Sequence, residues 1–130
     1  MGEAVQRVTI PYTPRQAFLP FHNRDKRWCA IVAHRRAGKT VACVNELIKA
    51  AIGNPRQEPP PRYGYLAPTY GQAKDVAWSY LKHYAAPIPG TDPREVDLSV
   101  KLPNGALIRL YGADNYDRMR GLYFDGVVID

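Results

Sequence analysis

The sequence predicts an α/β fold, a parallel sheet flanked by helices, on three observations. Apolar runs of strand length alternate with stretches of helical spacing. A Gly38-Lys39-Thr40 turn joins the first strand to the first helix, and the last apolar run ends on a carboxylate, Asp130. The 130 residues leave room for one domain with a modest core.

The first element is Trp28 to Ala33 (WCAIVA), a short apolar run bounded by charge, which predicts a buried strand. From Lys39 the apolar positions Val41, Val44, Ile48 and Ile52 recur at helical spacing, and Gly53 stands where a helix ends. Gly53 to Arg62, with four prolines and Asn54-Pro55, predicts a loop. Tyr63 to Ala67 (YGYLA) is the second strand. Thr69 opens the second helix with Gln72 as its capping-box partner. Ala73, Val76, Ala77, Tyr80 and Tyr84 form its inward stripe, and Pro87 and Pro89 end it. Val96, Leu98, Val100 and Leu102 alternate with Asp97, Ser99 and Lys101, which predicts a half-buried strand. Pro103-Asn104-Gly105 turns the chain, and Leu107 to Tyr111 returns as a hairpin partner. Gly126 to Asp130 (GVVID) is the closing strand. Trp28, Trp78, Tyr80 and Tyr84 are expected to pack in the core, and His22 and His83 occupy ordinary polar positions.

Composition narrows the function classes. No run approaches the about 20 apolar residues of a membrane span, and no N-terminal apolar segment resembles a signal peptide, so a cytosolic setting is expected. Cys29 and Cys43 lack metal-ligand or redox spacing and are expected to be buried apolar side chains. The net charge of +6 is uneven: six basic residues, from Arg24 to Lys39, share that stretch with His34 and one acid, Asp25. Such a cluster suits a polyanion, either nucleotide phosphates or nucleic acid, or forms a solvated basic surface.

The chemistry concentrates in Ala33-His34-Arg35-Arg36-Ala37-Gly38-Lys39-Thr40, which follows a predicted strand and opens a predicted helix, the context of a Walker A phosphate loop. Gly38 lets backbone approach the phosphates, and amide N–H groups at the helix start meet their charge. Lys39 is expected to reach the β- and γ-phosphates and Thr40 to offer its hydroxyl to Mg²⁺. One departure is plain: Ala33 stands where the usual pattern has its first glycine. Val127-Val128-Ile129-Asp130 is the matching Walker B strand, whose terminal carboxylate holds Mg²⁺ directly or through water.

Taken together, HRRAGKT, Thr69 with Gln72, Asn104-Gly105 before a strand, and Met119 to Asp130 (MRGLYFDGVVID) resemble the large terminase subunit of tailed bacteriophages. The resemblance covers nearly the whole chain but only the first part of that family's ATPase domain. It rests on the arginine-rich loop combined with Arg120-Gly121 shortly before the Walker B strand. It implies a P-loop NTPase of the RecA-like (ASCE) type, incomplete at the C-terminus. Residues 1–130 would be the N-terminal part of the ATPase domain, with the C-terminal nuclease domain absent.

The resemblance implies further roles. Arg35 stands where terminases keep an arginine that contacts the nucleotide in cis and stabilises charge on the γ-phosphate. Arg36 faces either DNA or solvent. Arg120 stands where some members place an arginine that acts on a neighbouring subunit's ATP, the alternative being a structural salt bridge at the strand entrance. Tyr12-Thr13-Pro14-Arg15-Gln16 resembles the adenine-reading segment: the Gln16 amide pairs with the base edge, and Tyr12 or Arg15 packs on the ring; the alternative is an ordinary capped turn. The implied cofactors are ATP and Mg²⁺. The implied partners are double-stranded DNA, the portal protein, the small terminase subunit and further copies in a ring, with no membrane. The setting would be the host cytoplasm, docked on the procapsid. At full length such a protein couples ATP hydrolysis to translocation of duplex DNA into the capsid and cleaves DNA with its separate nuclease domain. The glutamate that orients water in such enzymes would follow Asp130, so these residues alone are expected to bind nucleotide without turnover. The alternatives are another P-loop ATPase, such as a helicase, or a nucleotide- or DNA-binding module that does not hydrolyse.

Overall fold

The computed structural model describes residues 10–33 and 38–130. A 3-10 turn (Gln16–Phe18) leads into the short helix α1 (Leu19–His22). Helix α2 (Lys39–Gly53) then begins at Gly38, whose φ of 94° lies in the left-handed region that favours glycine. Its apolar positions bury Val44, Leu47, Ile48 and Ala51, and its last carbonyls are held from across the chain: Asn104 Nδ2 donates to the Ala51 carbonyl at 2.9 Å. The predicted turn at Pro103-Asn104-Gly105 thus also closes the end of α2.

Among the described residues, five strands form one sheet in the order β2-β3-β4-β1-β5. β1 (Arg62–Ala67) lies parallel to β4 (Leu107–Gly112) and to β5 (Gly126–Ile129). β2 (Asp92–Arg94) and β3 (Ser99–Lys101) add antiparallel to the other side of β4. Alternation along β1 directs Tyr63, Tyr65 and Ala67 into the main core, where they meet Ile48 of α2 and Ile108 and Leu110 of β4. The parallel α/β fold expected from the sequence is therefore present, with an antiparallel extension at one edge. Among the described residues, no helix is long and apolar enough to cross a membrane.

The second helix departs from a regular α-helix. α3 (Tyr70–Ala73) continues through a π-helical stretch (Lys74–Trp78) into α4 (Ser79–Ala85). Its start matches the expected cap, since Thr69 Oγ1 accepts from the Gln72 N–H at 3.0 Å. Its inward stripe differs from the expected one. Ala73, Ala77, Leu81 and Ala85 are buried, as is Trp78, whereas Val76 and Tyr80 are exposed and Tyr84 is half-buried. The buried positions recur every four residues, which a 3.6-residue helix cannot keep on one face, and the wider π turn takes up the difference.

Two other expectations fail for a shared reason, the absence of a strand partner. Trp28 to Ala33 forms no strand among the described residues, and Trp28 is 83% exposed. Trp28 is therefore not a core residue, and Cys29 is exposed rather than buried. Among the described residues β5 pairs with β1 only, and a cavity separates it from residues 28–31. An apolar run without a ladder or a covering layer has nothing to bury it. Likewise Val96, 97% exposed, lies in the turn between β2 and β3, and the expected alternation fails at Ser99, which is buried together with Leu98 and Val100.

Candidate functional site

β5 carries the last residue to the edge of the sheet. The Asp130 N–H donates to the Leu66 carbonyl at 2.9 Å, extending the ladder one residue past β5 and fixing where the carboxylate projects. On the neighbouring strand the phenol of Tyr65, 1% exposed, donates to Asp130 Oδ2 at 2.5 Å and lines the same cavity as Thr40. Thr40 occupies the first turn of α2 beside Lys39. One buried tyrosine therefore holds the carboxylate at the end of β5 in a cavity that the first turn of α2 also lines. Burial, and then the bond to Asp130, raises the Tyr65 phenol above its ordinary value, so it remains a proton donor at neutral pH.

These residues line a cavity of about 720 Å³ that includes Lys39, Thr40, Tyr65 and Asp130. It runs along the free edge of β5, between that strand, α2 and residues 27–31, and Lys39, Thr40, Tyr65 and Asp130 line it where β5 ends. Arg24 and Arg27 of the basic cluster face the same space. The donor set suits phosphate and a hard cation, with an ammonium and the Arg27 guanidinium for the first and a hydroxyl and a carboxylate for the second.

Cys43, one turn beyond Lys39, also lines this cavity, and its thiol is pushed up to about 11 by burial first and then by Asp130, with Lys39 opposing. Little thiolate exists at pH 8, so iodoacetamide should modify the exposed Cys29 at least about tenfold faster than Cys43. Cys43 should become reactive only as the pH climbs toward its own raised value. Peptide mapping at timed intervals measures this, and equal rates at pH 8 would contradict the buried environment.

The remaining sequence-derived candidates are distributed as follows. His34, Arg35, Arg36 and Ala37 lie outside the described residues. Ala33 is half-buried and packs against the small cluster of Phe18 and Ala42. Tyr12 lines a second, smaller cavity of about 200 Å³ that also includes Arg15 and Gly38, whereas Gln16 is exposed at the start of its 3-10 turn and does not line it. Arg120 stands outside both cavities, with its guanidinium 3.4 Å from Asp117, and both side chains are about three-quarters exposed.

Sequence reasoning missed Tyr65 and Glu46. Tyr65 reads as one more apolar residue of a strand, and only pairing with β5 brings its hydroxyl to Asp130. Glu46 accepts from both Arg24 and His22, neither of them close in sequence. His22 is far from an ordinary polar position: both ring nitrogens are engaged and its side chain is nearly buried.

No protein-family model and no curated protein matches the sequence. Solved structures that share its fold include the Thermus phage P74-26 large terminase ATPase domain, with a TM-score of 0.73 and 21% identity over 93% of this chain and 54% of that one. The large terminase of a second thermophilic bacteriophage aligns with a TM-score of 0.57 and 18% identity, over 74% of this chain and 25% of its own length. The chain therefore spans about half the length of the first and a quarter of the second.

Proposed function

We propose that this chain is the ATP- and Mg²⁺-binding part of a motor ATPase that packages double-stranded DNA into a bacteriophage capsid. The observation that carries the reading is the convergence of Lys39 and Thr40, from the first turn of α2, with Asp130, at the end of β5, around one cavity. The fold shared with phage terminase ATPase domains supports the same class.

In this reading Lys39 supplies the cation for the terminal phosphates, and the N–H groups at the start of α2 meet the remaining charge. The Thr40 hydroxyl and the Asp130 carboxylate are oxygen donors of the kind Mg²⁺ takes. Bound there, Mg²⁺ would neutralise phosphate charge and orient the leaving group. Tyr65 occupies one Asp130 oxygen and leaves the other for the metal. Arg35 would contact the nucleotide in cis. The exposed Arg120 would reach a neighbouring subunit's site in a ring that docks on the portal of a procapsid in the host cytoplasm, with the small terminase subunit as a further partner. Arg24, Lys26 and Arg27 give the same face its attraction for duplex DNA.

Two results follow. Labelled ATP should be retained in the presence of Mg²⁺ and released by a chelator; equal retention in both would remove the metal from the reading. Duplex DNA should compete for the basic face better than single strands in a gel-shift titration, and the reverse order would favour a helicase.

Tyr65→Phe removes one hydroxyl and no packing volume. It should raise the Mg²⁺ concentration needed for half-maximal ATP binding by about tenfold or more, the worth of a hydrogen bond to a charged group. Binding at saturating Mg²⁺ should change little. An unchanged Mg²⁺ dependence would show that the phenol does not hold the carboxylate for the metal.

A further inference from the structure

α2 grips the segment ahead of it through Glu46, which, like Arg24, also lines the larger cavity. Glu46 lies seven residues after Lys39, two turns along the same helix. Both of its carboxylate oxygens are engaged: Oε2 by His22 Nδ1 at 2.7 Å and Oε1 by Arg24 Nη1 at 2.8 Å. One turn further, Lys49 Nζ donates to the His22 carbonyl at 2.8 Å. The other ring nitrogen of His22, Nε2, lies 2.8 Å from the Tyr12 hydroxyl. A carboxylate accepts only, so Glu46 selects the imidazole tautomer with the proton on Nδ1, and Nε2 is left to accept from Tyr12. Burial raises the Tyr12 phenol above its ordinary value, which keeps it a donor.

The relay ends at a wall. The Tyr12 ring stands edge-on to Tyr84 of α4, with centroids 5.9 Å apart, and lines the second cavity with Pro11, Arg15, Phe18 and Gly38. At about 200 Å³ this cavity is smaller than the about 300 Å³ at which drug-sized pockets begin, and it suits a single heterocycle. Gly38 belongs to it and directly precedes Lys39, which lines the larger cavity. A ligand whose phosphates meet Lys39 has the smaller cavity within reach of its other end.

We infer that Glu46 is a positioning residue for nucleobase recognition: acting through His22, it fixes Tyr12 as a wall of the base pocket in register with the phosphate ligands on its own helix. This rests on the nucleotide reading given above and adds to it the residue that couples base to phosphate. A carboxylate that merely braced the fold would affect every ligand alike, whereas a base-positioning residue affects only ligands that carry a base.

The test compares Mg²⁺-ATP with Mg²⁺-tripolyphosphate, which has the phosphates and no base, by isothermal titration. Because Glu46 also lines the phosphate cavity, the ratio of the two affinities is what isolates the base: Glu46→Ala should weaken ATP about tenfold relative to tripolyphosphate, the ratio one charge-assisted hydrogen bond supplies. Tyr12→Phe, which keeps the ring and loses only the hydroxyl, should act in the same direction. The double variant should bind ATP no worse than Glu46→Ala, because both substitutions cut one relay. An unchanged ratio of the two affinities would overturn the proposal without touching the phosphate reading. A wild-type chain that binds neither ligand would overturn the nucleotide reading itself. If Glu46→Ala melts before it can be titrated, Tyr12→Phe decides between the same outcomes.

Discussion

Lys39→Ala is expected to weaken Mg²⁺-ATP binding by about a hundredfold or more. An ammonium between two phosphates makes about two charge-assisted hydrogen bonds, each worth about 1.5–3 kcal/mol. The cavity it lines holds Arg24 and Arg27 as well, but Arg24 is already committed to Glu46 and to the Phe21 carbonyl. Arg24 is therefore no direct replacement at the first turn of α2. The fold should not suffer. Alanine is the better helix former, and removing a cation from a helix N-terminus relieves an unfavourable meeting with the helix dipole. Thermal melting of the variant should match or slightly exceed the wild type while titration shows the loss. Equal affinities for wild type and Lys39→Ala would take Lys39 out of the phosphate site.

The largest expected effect on stability comes from a glycine at the same edge of the sheet. Gly112 ends β4, and a Cβ placed on it would lie 2.1 Å from the Tyr70 backbone nitrogen and 2.6 Å from the Thr69 carbonyl carbon. Both atoms belong to the start of α3, which has little freedom to yield. Thr69 Oγ1 accepts from the Gln72 N–H, and Asp114 Oδ1 accepts from the Tyr70 N–H, each at 3.0 Å. Gly112→Ala must therefore push the helix start away from the sheet and break one or both bonds. A cost of about 3 kcal/mol or more follows from overpacking against fixed backbone together with a lost cap. In a domain of this size that lowers Tm by about 10 °C. Gly71 is the internal control: it lies in α3 with nothing near its missing Cβ, so Gly71→Ala should be neutral or stabilise by about 0.5–1 kcal/mol. A Gly112→Ala protein that melts with the wild type would mean that β4 and α3 are not packed as described.

The elements legible in the sequence are those whose signal is local. Thr69 caps its helix through its own side chain three residues on, the rise and fall of α2 follows its apolar spacing, and β1, β4 and β5 occupy the expected runs. What sequence reasoning could not reach depends on partners. Trp28 to Ala33 has the composition of a buried strand, but composition does not provide a ladder, and β5 has none paired on that side. The phase of the second helix depends on one π turn, which no residue between Lys74 and Trp78 announces. β2 is three exposed residues including a proline, and is a strand only because β3 lies beside it. At the site, the spacing of motifs brought Lys39, Thr40 and Asp130 under suspicion, and the structure brings all three to one cavity. Tyr65 and Glu46 escaped because their roles are fixed by contacts 65 and 24 positions away in the chain.

The measurement that bears most directly on this account is a crystal structure of the chain with Mg²⁺ and a non-hydrolysable ATP analogue. The account predicts that the terminal phosphates lie against Lys39 Nζ, and that the metal is at about 2.1 Å from the Thr40 hydroxyl, with Asp130 bound directly or through one water. Phosphates elsewhere on the surface, or a metal touching neither Thr40 nor Asp130, would contradict it.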